Sequence, residues 1–368
     1  MRIVICGLSI TSSWGNGHAT TYRGLVSALE ERGHWVLFLE RDVPWYEQNR
    51  DLPRPARGRA ELYSSLGELQ DRFGRIIKAA DLVIVGSYVP EGVELGKWVI
   101  NTAGGITAFY DIDTPITLAK LERGDYEYIS PQLIPKYDLY LSFTGGPTLD
   151  LIERRFGSPA ARVLYCSADP AIYYPEKTKP HWDLGYLGTY SADRQPALDC
   201  LMLEPARRWT AGRFVVAGPM YPEQIEWPAN VQRIEHLPPT EHRSFYTQQR
   251  FTLNITRADM IAAGYSPSVR LFEAAACGTP IISDHWPGLE SLFEPGKEIL
   301  IASSPEQTLH YLHDFSRTQM QIIGERARQR VIAEHTPEHR ALQLESYVCE
   351  ARLKGDFAQR RNAALYIG

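Results

Sequence analysis

The segment "YSPSVRLFEAAACGTPI", Tyr265 to Ile281, sets Arg270 and Glu273 into an otherwise apolar, alanine-rich run. Ser266 has the type of a helix N-cap, and Pro267 suits the first helical position. Val269 to Cys277 favour a helix, and Gly278 is the expected stop. On that helix Ser266, Val269 and Arg270 precede Glu273 by seven, four and three residues and share its face. A helix N-terminus presents free N–H groups to an anion. A carboxylate deeper on the same exposed face accepts from hydroxyls. Together they suit an elongated ligand with phosphates at one end and sugar hydroxyls beyond, such as a nucleoside diphosphate. The same spacing equally allows Arg270 and Glu273 to be an ordinary surface ion pair.

These residues need a frame to hold them. The runs "RIVICG", "WVLFLE", "DLVIVGS", "KWVINTAG" and "YDLYLSF" punctuate the first half of the chain. After the first comes a helical pattern at Tyr22, Leu25, Val26 and Leu29, ending at Gly33. Apolar runs alternating with helices are how a parallel sheet, buried on both faces, looks in sequence. Prolines cluster in "CSADPAIYYPEKTKPHW", which reads as a linker. The alternation then restarts with "DLGYLG", a helical "QPALDCLMLEPARRW", "RFVVAG", "VQRIEHL", "FTLNIT" and "IISD"; "RADMIAAGY" reads as a loop. The expected fold class is α/β, with two doubly wound, Rossmann-like parallel-sheet domains, 1–170 and 171–345, facing a cleft. Residues 346–368 form a separate helix with no place in the second alternation. Open sheets of this kind bind ligands at the carboxyl ends of their strands.

Composition removes several function classes. Among 368 residues, 44% are hydrophobic and 23% charged, as in a globular protein, and the net charge of −5 gives no global attraction to nucleic acid or anionic lipid. The five cysteines are scattered without metal-ligand spacing. "MRIVICG" lacks the order of a secretory leader, so a reduced, cytoplasmic setting without a structural metal is expected. No G-x-G-x-x-G follows the first strand, which argues against a dinucleotide-dependent dehydrogenase.

The stretch "RLFEAAACGTPIISDHWPGLESLFEPGKEILIA", followed by "ERARQRVIAEHTPEHRA", resembles the C-terminal domain of CgeB-type glycosyltransferases. More distantly it is similar to the retaining group 1 glycosyltransferases of GT-B fold. "GNGHATTYRGLVSALEERGHWVLFLE" is similar to the glycine loop, helix and turn that open many GT-B enzymes, and "LYCSADPAIYYP" sits at their linker. The resemblance implies a GT-B glycosyltransferase using a nucleotide sugar, a UDP-sugar first, with retention of configuration and no metal or other cofactor. By the same resemblance Glu273 holds the donor ribose, and the backbone N–H groups of Ser268 and Val269 meet the diphosphate. Arg194 matches a lysine of the family's basic pair, with Thr189 in place of its arginine. Arg270 is typical of the CgeB-like branch, and His236 lies in the loop bordering the nucleobase. Gly15 and Gly17 of the first glycine loop belong to the donor-binding set. Tyr265 stands where the family places its first glutamate. The final helix is expected to pack back on the first domain.

Transfer of a glycosyl group leaves negative charge on the departing diphosphate, which Arg194 and Arg270 can stabilise. An inverting enzyme needs a base, for which His18 is the candidate; in a retaining one His18 orients sugar or acceptor. Asp111 and Asp113 of "FYDIDTP" are expected either to bind hydroxyls or to brace a loop. Tyr126 and Tyr128 read as packing residues more than as an acceptor platform. A nucleotide-sugar epimerase or hydrolase is the second reading, and a nucleotide-sugar-binding module without catalysis the third. The acceptor is not legible: small molecule, glycan, protein and nucleic acid all stay open.

Overall fold

The computed structural model describes residues 1–14, 17–55 and 57–365, with side chains through residue 354. The chain divides into two units, one of residues 1–165 with 337–368 and one of residues 166–336.

The first unit is built on seven parallel strands: β1 (Arg2–Gly7), β2 (Trp35–Arg41), β3 (Arg59–Tyr63), β4 (Leu82–Gly86), β5 (Ile106–Asp111), β6 (Leu139–Ser142) and β7 (Ala161–Val163). Their order is β3-β2-β1-β4-β5-β6-β7, so the direction of winding switches between β1 and β4. Ile3, Val4, Ile5 and Cys6 are wholly buried because both sheet faces are covered. Helix α1 (His18–Glu31) lays Tyr22, Leu25, Val26 and Leu29 on one face of the sheet. "KWVINTAG" is not a strand: Lys97–Thr102 end a helix, Gly92–Thr102, whose Val93, Gly96 and Val99 turn inward. A short apolar run alone does not separate strand from helix, and the three-residue spacing running back to Val93 decides here. Helix α2 (Thr114–Glu122) follows β5.

The second unit has six parallel strands: β8 (Trp182–Leu187), β9 (Phe214–Ala217), β10 (Val231–Ile234), β11 (Gln249–Asn254), β12 (Ile281–Ser283) and β13 (Leu300–Ile301). Their order β10-β9-β8-β11-β12-β13 repeats the same winding, with its switch between β8 and β11, where Leu253 pairs with Tyr186. The helices that position the site are α3 (Pro239–Thr247), α4 (Ala258–Ala263) and α5 (Val269–Ala276). "RADMIAAGY" is therefore not a plain loop, since α4 occupies its centre.

The division falls between Tyr165 and Cys166, ahead of the proline-rich segment, and again between Thr336 and Pro337. The second break precedes residue 346 because the last helix, α6 (Pro337–Leu365), is continuous from Pro337. Its Ala341, Leu344 and Val348 are buried in the core of the first unit, and Glu345 takes a forked ion pair from Arg32 at 2.7 and 2.8 Å. Among the described residues no helix is long and apolar enough to cross a membrane.

Candidate functional site

Helix α5 begins at Val269, with Ser268 rather than Ser266 as its N-cap. Ser266 is buried, and the Ser268 hydroxyl donates outward to Asn254 Oδ1 at 2.8 Å instead of capping its own helix. Gly278 ends the helix at φ +70°, as expected of a left-handed stop. Pro267 thus lies before the helix, in the turn that brings Tyr265 round. Tyr265 has φ +46°, a conformation costly to a residue with a Cβ. Its ring lies where a Cβ on Gly288 would stand, and its N–H donates to Pro287 O at 2.6 Å.

Arg270 and Glu273 do not pair. Leu271 to Ala276 are all buried, so α5 has no solvent face at Glu273 and the carboxylate points into the unit. Tyr173 donates to its Oε1 at 2.8 Å and Tyr246 to its Oε2 at 3.0 Å. Burial, and then the neighbouring carboxylate, push both phenol pKa values well up, so both remain donors. His242 Nδ1 stands 3.6 Å from Oε2.

Arg270 turns the other way. Its Nη1 donates to Asn254 Oδ1 at 3.4 Å and Ile255 O at 3.3 Å, and its guanidinium carbon lies 5.2 Å from the centre of the Tyr186 ring. Arg194, in the loop after β8, donates from Nη2 to Thr189 O, while its Nε is buried without a partner. Burial lowers the Arg194 pKa, and positive charge on Arg270 and Arg257 lowers it further. Among the described residues neither Arg194 nor Arg270 forms an ion pair with a carboxylate. Two half-buried guanidiniums thus share the switch point of the second sheet with the N-terminus of α5. That is an arrangement for a polyanion.

Asn254 organises this end of the sheet. Its Oδ1 takes both Ser268 and Arg270, and its Nδ2 donates to Ser283 Oγ at 2.9 Å. Asp284 accepts from the Thr256 N–H and hydroxyl, each at 2.8 Å; burial raises its pKa. His236 follows β10 and is half-buried. Nearby Arg233 is sandwiched between the rings of Tyr221 at 4.2 Å and Trp227 at 4.6 Å.

The remaining candidates belong to the first unit. Gly15 lies outside the described residues; Gly17 is the exposed N-cap of α1. His18 opens α1, its ring edge-on to Tyr88 at 5.5 Å, and burial lowers its pKa to about 4. Tyr88, at φ +62°, donates to Asp113 Oδ2 at 3.0 Å. Asp111 is wholly buried and accepts from Tyr140 at 2.5 Å and Thr117 at 2.7 Å, so it braces the end of β5. Tyr128 is buried against Phe109, and Tyr126 is exposed. Among the described residues no three His, Cys, Asp or Glu side chains gather as metal ligands would.

Several residues of the site escaped sequence reasoning. Asn254 was visible only as a polar residue closing "FTLNIT". Tyr246 and His242 stand four apart in "EHRSFYT", a helical spacing that places them on one face. Glu40, at the end of β2, is buried and takes the N–H groups of Ile10 and Thr11 at 2.7 and 3.0 Å, fixing the loop after β1.

Residues 194–346, fewer than half of the 368, match the model of a family described as glycosyl transferase-like. No curated protein matches the sequence. Among solved structures the chain is similar to a sucrose-phosphate synthase from Thermosynechococcus elongatus, with 14% identity over 99% of this chain and 100% of that one and a TM-score of 0.63. It is similar to HepE of Anabaena, solved with UDP and glucose, with 12% identity over 95% and 100% of the chains and a TM-score of 0.69. An alpha-glucosyltransferase solved with UDP and a 13-mer DNA containing an HMU base shares 11% identity over 95% and 99%, with a TM-score of 0.69. At such identities the likeness establishes the fold, which is GT-B.

Proposed function

We propose that the protein is a glycosyltransferase that moves a sugar from a nucleotide-sugar donor, a UDP-sugar first among them, to an acceptor. The observation that carries this reading is the pair Arg194 and Arg270 at the switch point of the second sheet, unpaired with carboxylates and beside the N-terminus of α5. Both lie within the span that matches the glycosyl transferase-like family. The fold is shared with proteins solved with UDP. As the glycosidic bond to the donor breaks, charge grows on the diphosphate. Arg194 and Arg270 stabilise it through fixed donors, and the leading N–H groups of α5 add the helix dipole. Those charges do the work a divalent cation does elsewhere, so we read the transfer as metal-independent. Retention follows if an oxygen of the same diphosphate takes the acceptor's proton on the face the leaving group vacates. Arg270 favours the CgeB-type branch of such enzymes.

The test is incubation with a panel of nucleotide sugars, following release of the nucleoside diphosphate with and without EDTA. Binding of one donor with slow release to water, unchanged by EDTA, is the expected result. Failure of every donor to bind overturns the reading. Rapid turnover with no acceptor favours an epimerase or hydrolase. Tyr265 supports a second reading, a binding module without catalysis: a phenol stands where the resemblance places a carboxylate, and its backbone is held at φ +46°. Tight binding without any turnover would select it.

A further inference from the structure

Glu273 and His242 face each other in a way that calls for a third group. His242 Nε2 lies 3.3 Å from Leu237 O. A carbonyl only accepts, so in the neutral ring Nε2 carries the proton and Nδ1 presents a lone pair. That Nδ1 is buried without a hydrogen-bond partner and faces Glu273 Oε2 across 3.6 Å. Tyr173 and Tyr246 have already given their single protons to the carboxylate. Two acceptors therefore confront one another in a poorly hydrated place, and each buried acceptor left unmade is costly.

A group that satisfies both must donate twice, once to each side. A phosphate has no protons to give. A vicinal diol has two, at the separation of neighbouring hydroxyls. The inference rests on the reading of the ligand as a nucleotide sugar, whose ribose carries such a diol. The imidazole is the more accessible partner, with 17% of its side chain exposed against 3% for Glu273, so it marks the open side of the pair. We infer that His242 is a specificity-determining residue: it accepts one ribose hydroxyl while Glu273 accepts the other, and the site demands a ribonucleotide.

The experiment uses the purified full chain and isothermal titration with UDP, GDP and ADP. The tightest binder is then compared with its 2′-deoxy and 3′-deoxy forms, in the native protein and in His242→Ala and His242→Asn, with melting temperatures measured alongside. The native protein should bind each deoxy form about tenfold more weakly or worse. His242→Ala should bind the ribonucleotide roughly tenfold more weakly and lose its discrimination at one hydroxyl while keeping it at the other. Equal affinity of the native protein for ribo and deoxy forms overturns the inference. So does full discrimination retained in both variants, which would leave His242 as a charged partner of Glu273 only. If none of the diphosphates binds, the donor reading itself fails and takes this inference with it. A nucleoside diphosphate that binds without regard to its ribose removes this inference alone.

Discussion

Ser268 Oγ donates to Asn254 Oδ1 at 2.8 Å, and Arg270 reaches the same oxygen at 3.4 Å. One amide at the end of β11 therefore fixes both the first residue before α5 and the guanidinium on its first turn. Asn254→Ala leaves those donors without their acceptor and Ser283 without its donor. A loss of about 1–3 kcal/mol in stability is expected from the buried groups left unsatisfied. Donor turnover should fall further than stability explains, because Arg270 loses its anchor. Asn254→Asp keeps the acceptor and should recover most of the turnover. Urea unfolding and initial rates of nucleoside diphosphate release check both; a variant as active as the native protein would end the positioning role.

The two phenols on Glu273 make a sharper case. Tyr173→Phe and Tyr246→Phe each remove one donor from a buried carboxylate, at a cost of about 1–3 kcal/mol apiece. The double variant should lose more than the sum, since the carboxylate then has no phenol at all. Glu273→Gln, which retains shape and one acceptor, should weaken nucleotide affinity about tenfold, the scale of one charge-assisted hydrogen bond. Thermal melting for the tyrosines and titration calorimetry for the glutamine variant are the measurements. Unchanged affinity in Glu273→Gln removes the ribose assignment.

These contacts mark how far the sequence reaches. Alternation of apolar runs was enough for two parallel sheets, because strands covered on both faces have no other way to look. It misread "KWVINTAG", where the deciding residue, Val93, lies outside the run. Spacing placed Arg270 and Glu273 on one helical face correctly in angle and wrongly in consequence. Helix α5 is buried nearly all round, so one face has two environments, the Asn254 end and the Tyr246 end. Nothing local announces that difference. The partners of Glu273 lie 27 and 100 positions away, beyond any window of periodicity. Ser266 looked the better cap because Pro267 follows it; the turn through Tyr265 at φ +46° moves the helix start on by two residues.

Asp111 yields a prediction about pH. Burial raises its pKa from 3.8 to about 6, against the pull of Tyr140 and Thr117. The folded state thus holds this proton more tightly than the unfolded chain. Its contribution to stability is complete below pH 3.8 and is lost as pH rises through about 6. The span corresponds to roughly 3 kcal/mol at most. Asp111→Asn cannot titrate and should flatten that part of the stability curve, whatever constant cost it adds. Urea unfolding at intervals between those two pH values is the check; an identical slope in native and variant proteins would show that Asp111 titrates normally.

Arg194 and Arg270 should prove unequal and interdependent. Removing one fixed donor from a developing anion slows catalysis by about 10²–10³-fold, and each arginine-to-alanine change is expected in that range. Arg270→Lys should recover little. An ammonium cannot hold Asn254 Oδ1 and Ile255 O through one planar group and still face the ligand. Arg194→Lys should recover more, because Arg194 is anchored by a single carbonyl, that of Thr189. The two cations also repel: Arg270 lowers the pKa of Arg194, so removing one relaxes the other in the free protein. The double alanine variant should therefore lose less than the product of the single losses. Rates for the four variants and the double variant, at saturating donor, test this. Strict multiplicativity would mean that the two guanidiniums act at separate places rather than on one diphosphate.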